Sequence, residues 1–254
     1  MTKQWVGKRY WLVGASAGLG ETVAQMMSAA GVEVILSARS EDDLKRVVDT
    51  LPGKASYVTC DVSSLKSVEE AYAQVGQIDG VVFLAGVYWP MKADAVDAAQ
   101  LEQMVDINFT GAARVLGAIL PDFVKRDAGH IVLTGSLSGF RGLPGAVGYG
   151  ASKAGVMYLG ESLYADLRKT GVEVQLINPG FIKTRLTDKN DFNMPFIQTP
   201  EEAARDFWEH MNSTAFKKSF PRAFSLMFRA SQFLSDWLYS VSYTHLTLPT
   251  NREV

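Results

Sequence analysis

Short runs of apolar and β-branched residues alternate along this chain with longer stretches of helical period, and that alternation restricts the fold more than any other feature. Residues 9–13, 32–37, 56–59, 79–85, 129–135 and 172–178 read as strands, with a further one at 216–220. Residues 19–30, 41–50, 65–75, 98–107, 110–125 and 149–169 read as helices. Thr199-Pro200-Glu201-Glu202 opens another helix, with a capping threonine and a proline in its first turn. Strands apolar on both faces belong inside a parallel sheet covered by helices on each side. Right-handed crossovers make such a sheet a doubly wound α/β fold. Its ligands bind beyond the carboxyl ends of the strands, so functional residues are expected just after Val13, Ser37, Thr59, Ala85, Thr134 and Asn178.

Composition narrows the function. With 254 residues, 47% of them hydrophobic and 20% charged, the chain can bury one sizeable core and is not disordered. A net charge of −2 gives no basic field for nucleic acid. Cys60, the single cysteine, has no disulfide partner in the chain, and no Cys/His cluster has zinc-ligand spacing. The apolar run around 80–89 is too short to span a bilayer. The polar start, residues 1–8, is unlike a signal peptide, so the expected location is cytoplasmic.

Between the first strand and the first helix lies Gly14-Ala15-Ser16-Ala17-Gly18-Leu19-Gly20. Glycines there permit a tight turn and let backbone N–H groups approach a pyrophosphate, which the helix N-terminus also favours. At the end of the second strand an acid would select the ribose 2′-OH of NAD. Ser37-Ala38-Arg39-Ser40 stands there instead, with Arg39 suited to a 2′-phosphate and Ser37 or Ser40 to a hydrogen bond with it. The expected cofactor is therefore NADP(H) rather than NAD(H). Asp61-Val62, after the third strand, reads as an adenine contact or as a helix-leading cap.

Tyr149 and Lys153 are four residues apart and so share one helix face. A neighbouring ammonium lowers a phenol pKa from its usual value of about 10, which suits Tyr149 to proton transfer. Ser136, just past an apolar strand, can hydrogen-bond a substrate carbonyl, with Ser138 as a competitor. Asn108 sits between two helical stretches and reads as a cap or a site residue.

Taken together, the glycine turn, Asn108, Ser136, Tyr149/Lys153 and Asn178-Pro179-Gly180 make the chain resemble the short-chain dehydrogenase/reductase family, in its single-domain branch of about 250 residues. The resemblance implies a Rossmann-type sheet of about seven strands in the order 3-2-1-4-5-6-7. It implies Tyr149 as general acid in carbonyl reduction and base in alcohol oxidation. Lys153 would lower the Tyr149 pKa and bind the nicotinamide ribose, Ser136 polarise the carbonyl, and Asn108 hold a relay water. Pro179, Gly180, Ile182 and Thr184 would contact the nicotinamide end, while Ala85 and Gly86 line the cofactor loop after the fourth strand. The resemblance also suggests a homodimer or homotetramer formed through the helices at 110–125 and 149–169.

The chain departs from the family pattern at two places. Leu84 replaces the asparagine of an Asn-Ala-Gly turn, which ties neighbouring backbone together, and Val13 replaces a threonine before the first glycine. Neither removes a catalytic group, so activity is expected; a catalytically silent nucleotide sensor or scaffold of the same fold is the alternative. Phe192, Met194, Pro195, Phe196 and Ile197 would form an apolar lid, with Tyr88, Trp89, Met91, Phe140 and Leu143 widening an apolar pocket for a small-molecule carbonyl or alcohol. Residues 216–229 carry four cations and no acid within an amphipathic stretch, 216–241. Such a stretch can touch an anionic membrane, cover its own active site or form a subunit contact. A single domain over 1–241 is expected, followed by an appended or disordered tail, 242–254, which resembles translated adapter sequence.

Overall fold

A computed structural model describes residues 3–246, with side chains placed up to 241. Seven parallel strands form one sheet in the order β3-β2-β1-β4-β5-β6-β7. They are β1 (Arg9–Val13), β2 (Glu33–Ser37), β3 (Ala55–Tyr57), β4 (Gly80–Phe83), β5 (Gly129–Thr134), β6 (Val172–Pro179) and β7 (Lys217–Phe220). The helices are α1 (Gly18–Ala29), α2 (Glu41–Val48), α3 (Leu65–Val75), α4 (Ala98–Val105), α5 (Gly111–Lys125), α6 (Val147–Leu167), α7 (Pro200–Met211), α8 (Arg222–Ser231) and α9 (Asp236–Leu246). The doubly wound topology and the strand order match the reading of the sequence.

Strand alternation divides the core. Trp11, Ile35, Val81, Phe83, Ile131 and Leu133 face a cluster shared with α3, α5 and α6. Their neighbours Leu12, Val34, Leu36, Val82, Val132 and Ile177 face the opposite cluster, with α1 and α7. Successive side chains point to opposite faces, and both faces are covered, so the central strands have no polar side. Local chemistry sets the helix starts. Ser64 caps α3 by accepting from Ser67 N, and Thr199 and Glu202 form a capping box at α7.

Some boundaries differ from those expected. α6 starts at Val147, so Tyr149 and Lys153 both fall in its first two turns. α4 and α5 are joined by a π-helical turn, Asp106–Thr110, rather than by a break. That turn carries Asn108 inward, and such widened turns are frequent at functional positions.

The basic stretch is not one helix. Lys217 and Lys218 lie on β7, where Lys217 pairs with Glu161 and Lys218 with Asp206 and Glu209 at 3.0 and 2.7 Å. The rest folds as two short consecutive helices joined by a turn, α8 and α9, termed the terminal hairpin. The backbone of α9 runs on past 241 to Leu246, and 247–254 lie outside the described residues. Among the described residues, no helix is long and apolar enough to cross a membrane, and no His, Cys, Asp and Glu group could hold a metal ion.

Candidate active site

A cleft of about 1010 Å³ opens over the carboxyl ends of the strands. Gly14 follows β1 with φ +93°, and a Cβ there would stand 2.3 Å from Ala85 N. A Cβ at Gly20 would stand 2.2 Å from Gly14 O. Both positions therefore require glycine for close backbone approach, beyond any turn preference. The first turn of α1 has no side-chain cap, so its N–H groups are left for an anion in the cleft. Ser16, Gly18 and Leu19 complete this wall, and Gly18 lies against the Thr184 methyl.

Arg39 lines the cleft at the end of β2, exposed and without an ion-pair partner among the described residues. Asp61 and Val62 line the same end. Burial works against the Asp61 charge, but the N–H and hydroxyl of Ser63, with Arg39 and Arg114 nearby, hold it below the usual carboxylate range.

Ser37 requires a correction. Its hydroxyl is fully buried, accepts from Trp11 Nε1 at 2.8 Å and donates to Val58 O at 2.6 Å. It points to the same sheet face as Ile35, two residues earlier, so its one hydroxyl hydrogen is spent inside the core although the residue is part of the cleft lining. Ser40 also lines the cleft; it accepts from Asp43 N as the cap of α2, which leaves its hydroxyl hydrogen free to donate. Arg46, not foreseen from sequence, lines the cleft as well. It pairs with Glu21 at 2.8 Å and donates to Ser16 O at 3.0 Å, bracing the glycine turn. Its partners lie 25 and 30 residues away, so no local pattern marks it.

The loop after β4 brings Ala85 and Gly86 into the cleft. Leu84 cannot make the bonds of the missing asparagine, yet the loop is held. Ala85 N donates to Val13 O at 2.9 Å. Asn108, fully buried, accepts from Val87 N at 2.7 Å through Oδ1 and donates from Nδ2 to Val87 O and Ser152 Oγ, each at 3.0 Å. Both hydrogens of the Asn108 carboxamide and one acceptor position of its Oδ1 are thus taken by protein partners. The side chain clamps the loop after β4 to α6.

Ser136, Tyr149 and Lys153 meet in the middle of the cleft. Ser138 Oγ donates to Ser136 Oγ at 3.0 Å, and Ser138 N lies 3.2 Å from the same atom, so Ser138 supports Ser136 from behind. Lys153 Nζ donates to Thr134 O at 2.9 Å and lies 5.8 Å from the Tyr149 ring centre. Desolvation pushes the Lys153 ammonium down to about 8. It pushes the Tyr149 phenol up to about 12, with the Ser136 hydroxyl offsetting part of the rise and Tyr88 adding to it. Burial thus raises the phenol pKa rather than lowering it as the helix spacing suggested, and Lys153, bonded to the Thr134 carbonyl, is not among the groups that shift it. Tyr149 stands protonated at neutral pH.

Pro179, Gly180, Ile182 and Thr184 close the cleft opposite β4. Of the expected apolar residues, Tyr88, Leu143 and Phe192 line it. Met91 is buried elsewhere, while Phe196 and Ile197 are exposed. Phe181, Phe224 and Phe228, which the sequence reading had not assigned, also line the cleft.

Residues 8–194 match the family model for short chain dehydrogenases. The chain belongs to the short-chain dehydrogenase/reductase family. An uncharacterized oxidoreductase of Myxococcus xanthus is 35% identical over 242 residues, covering 92% of this chain and 96% of its own. Among solved structures, an actinorhodin polyketide ketoreductase with NADPH superposes with a TM-score of 0.77 at 25% identity, over 87% of this chain and 97% of that one. A serine dehydrogenase complexed with NADP+ gives 0.74 at 27% identity, over 83% and 94%. The protein is thus an oxidoreductase of this family whose fold suits a nicotinamide cofactor.

Proposed function

We propose that this protein is an NADP(H)-dependent oxidoreductase that interconverts an apolar carbonyl compound and its alcohol. The observation that carries the reading is the meeting of Ser136, Tyr149 and Lys153 in one cleft whose far end is formed by the glycine turn and Arg39. The residues fit such a cofactor: the α1 N-terminus is uncapped, Gly14 and Gly20 leave no room for side chains, and Arg39 has no ion-pair partner among the described residues. The glycine turn and α1 amides would hold the pyrophosphate. Arg39 suits a 2′-phosphate, and no carboxylate stands directly after β2 to favour a free 2′-OH.

The bound nicotinamide supplies or accepts the hydride. The chain supplies position and the proton. Ser136 donates a hydrogen bond to the carbonyl oxygen, and Tyr149 Oη gives that oxygen its proton as the C=O becomes an alcohol. The Lys153 ammonium stabilises the phenolate left behind, and in oxidation the proton returns along the same path. Phe181, Phe192, Phe224 and Phe228 give the substrate side of the cleft its apolar character.

Two measurements test this reading. NADPH should raise the melting temperature more than NADH at equal concentration, because a ligand that binds only the folded state stabilises it. A panel of apolar ketones should then consume NADPH, followed by its absorbance. Equal shifts from both nucleotides would remove the NADP preference, and binding without consumption would favour a nucleotide sensor.

A further inference from the structure

Part of the substrate wall comes from the C-terminal hairpin. Phe224 and Phe228, one turn apart on α8, both face the cleft. The Phe224 ring lies 5.8 Å from Phe181, 5.5 Å from Phe196 and 5.0 Å from Phe228. Phe181 meets Phe192 edge-on at 5.9 Å. Phe181, Phe192, Phe224 and Phe228 form one continuous aromatic roof over the cleft, with Phe196 against its outer edge. On α8 only Phe224 and Ser225 are buried, while Leu226 and Met227 on its outer side are each 57% exposed.

A side chain outside the cleft holds the far end. Arg141 lies just beyond the short helical turn, Leu137–Gly139, that follows Ser136. Its guanidinium donates to Ser231 O, to Leu234 O at 2.9 Å and to Asp236 Oδ1 at 2.7 Å. It also lies 4.0 Å over the Tyr239 ring. Tyr239 Oη donates to Gly142 O at 2.7 Å, and Gln232 Nε2 donates to Phe140 O at 3.1 Å. The carbonyls at the end of α8 carry the negative end of its dipole, and Ser231 O, which also accepts from Leu234 N at 3.2 Å, and Leu234 O are placed to be matched by a planar guanidinium fork. The Asp236 side chain is wholly exposed, so that ion pair adds little; the carbonyl bonds and the ring contact carry the attachment.

We propose that Arg141 is a positioning residue that latches the α8–α9 hairpin to the loop following Ser136, and so sets the roof of a site for bulky, ring-bearing apolar carbonyl compounds. The proposal rests on the reductase reading above and adds a substrate class to it. One short segment, 136–142, carries both the hydroxyl that orients the carbonyl and the latch that places the roof. A bulky substrate touches the Ser136 hydroxyl and the roof, whereas a small ketone touches only Ser136 and Tyr149. Roof contacts are made equally in the ground and transition states, so losing them raises KM and leaves kcat in place.

The test uses the full chain with Arg141→Met, Arg141→Lys and Tyr239→Phe, and with α-tetralone and butanone as probe ketones. Amide hydrogen exchange over 222–234 should quicken by about tenfold or more in Arg141→Met, with the 14–20 turn unchanged. KM for α-tetralone should rise by about tenfold, with kcat and NADPH affinity held within about twofold. KM for butanone should not move, Arg141→Lys should recover part of the loss, and Tyr239→Phe should show a smaller effect of the same kind. Unchanged exchange over 222–234, or an unchanged KM for α-tetralone, overturns the latch. An equal fall in kcat for both ketones also overturns it, because Arg141 would then act on the Ser136 loop alone. If the unaltered protein consumes NADPH with neither ketone, the reductase reading and this substrate class fall together, while the exchange data still decide whether Arg141 holds the hairpin.

Discussion

The two ends of the cleft are built in different ways. The nucleotide end is mostly backbone: a glycine turn, a helix N-terminus and the loop after β4, each within a few residues of a strand end. The substrate end is mostly side chains brought from distant parts of the chain, such as Tyr88 to Asn190 Oδ1 at 2.7 Å and Arg141 to Leu234 O at 2.9 Å. The first construction is rigid because the sheet itself places it. The second depends on loops and a short terminal hairpin, so it can vary while the chemistry between the two ends stays the same.

Substitutions can break this contrast at known points, and the largest effect is expected in the middle. Tyr149→Phe removes the only proton donor assigned to the carbonyl oxygen. Turnover should fall by about 10²–10⁴-fold in a NADPH-absorbance assay, with NADPH binding retained by thermal shift. Retained turnover would move the acid role to another group. At the nucleotide end, Arg39→Asp should weaken NADPH binding by about 10–100-fold and improve NADH binding, read by fluorescence titration. Unchanged NADPH affinity would return Arg39 to the status of a solvated loop residue.

Lys153 predicts a pH limb. Desolvation lowers its pKa to about 8, so its charge is present below that pH and is lost above it. Reductive kcat/KM should therefore decline above pH about 8, approaching tenfold per unit well beyond it. A profile flat to pH 10 would mean that the ammonium does not assist the phenolate. The smallest effect is structural. Ser37→Ala leaves Trp11 Nε1–H buried without its acceptor and should cost about 1–3 kcal/mol by chemical denaturation, with NADPH affinity unchanged. A selective loss of NADPH affinity would restore Ser37 to the cofactor site.

What could be read beforehand follows the same division. The glycine turn, Arg39, Ser136 and the Tyr149/Lys153 pair were legible because a parallel sheet puts strand ends on one line, and helix periodicity puts positions four apart on one face. The direction of the Tyr149 shift was not legible, because spacing reports neighbours but not burial. Ser37 was misassigned for a similar reason: at the end of a strand, the inward or outward sense of one hydroxyl depends on register against β1 and on a tryptophan 26 residues earlier. Asn108 was recognised, but its bonds to Val87 and Ser152 were not, and those bonds hold the loop that Leu84 leaves untied.

Sequence alone determined the doubly wound sheet, its strand order by resemblance, and the residues that stand at its carboxyl edge. These follow from periodicity and short-range geometry, which the chain carries locally. Only the tertiary structure decided that the Tyr149 phenol is buried, that the Ser37 hydroxyl bonds within the core, and that Arg141 reaches the carbonyls of Ser231 and Leu234. Those outcomes depend on desolvation and on contacts between residues far apart in the chain, and neither is written in any local stretch of it.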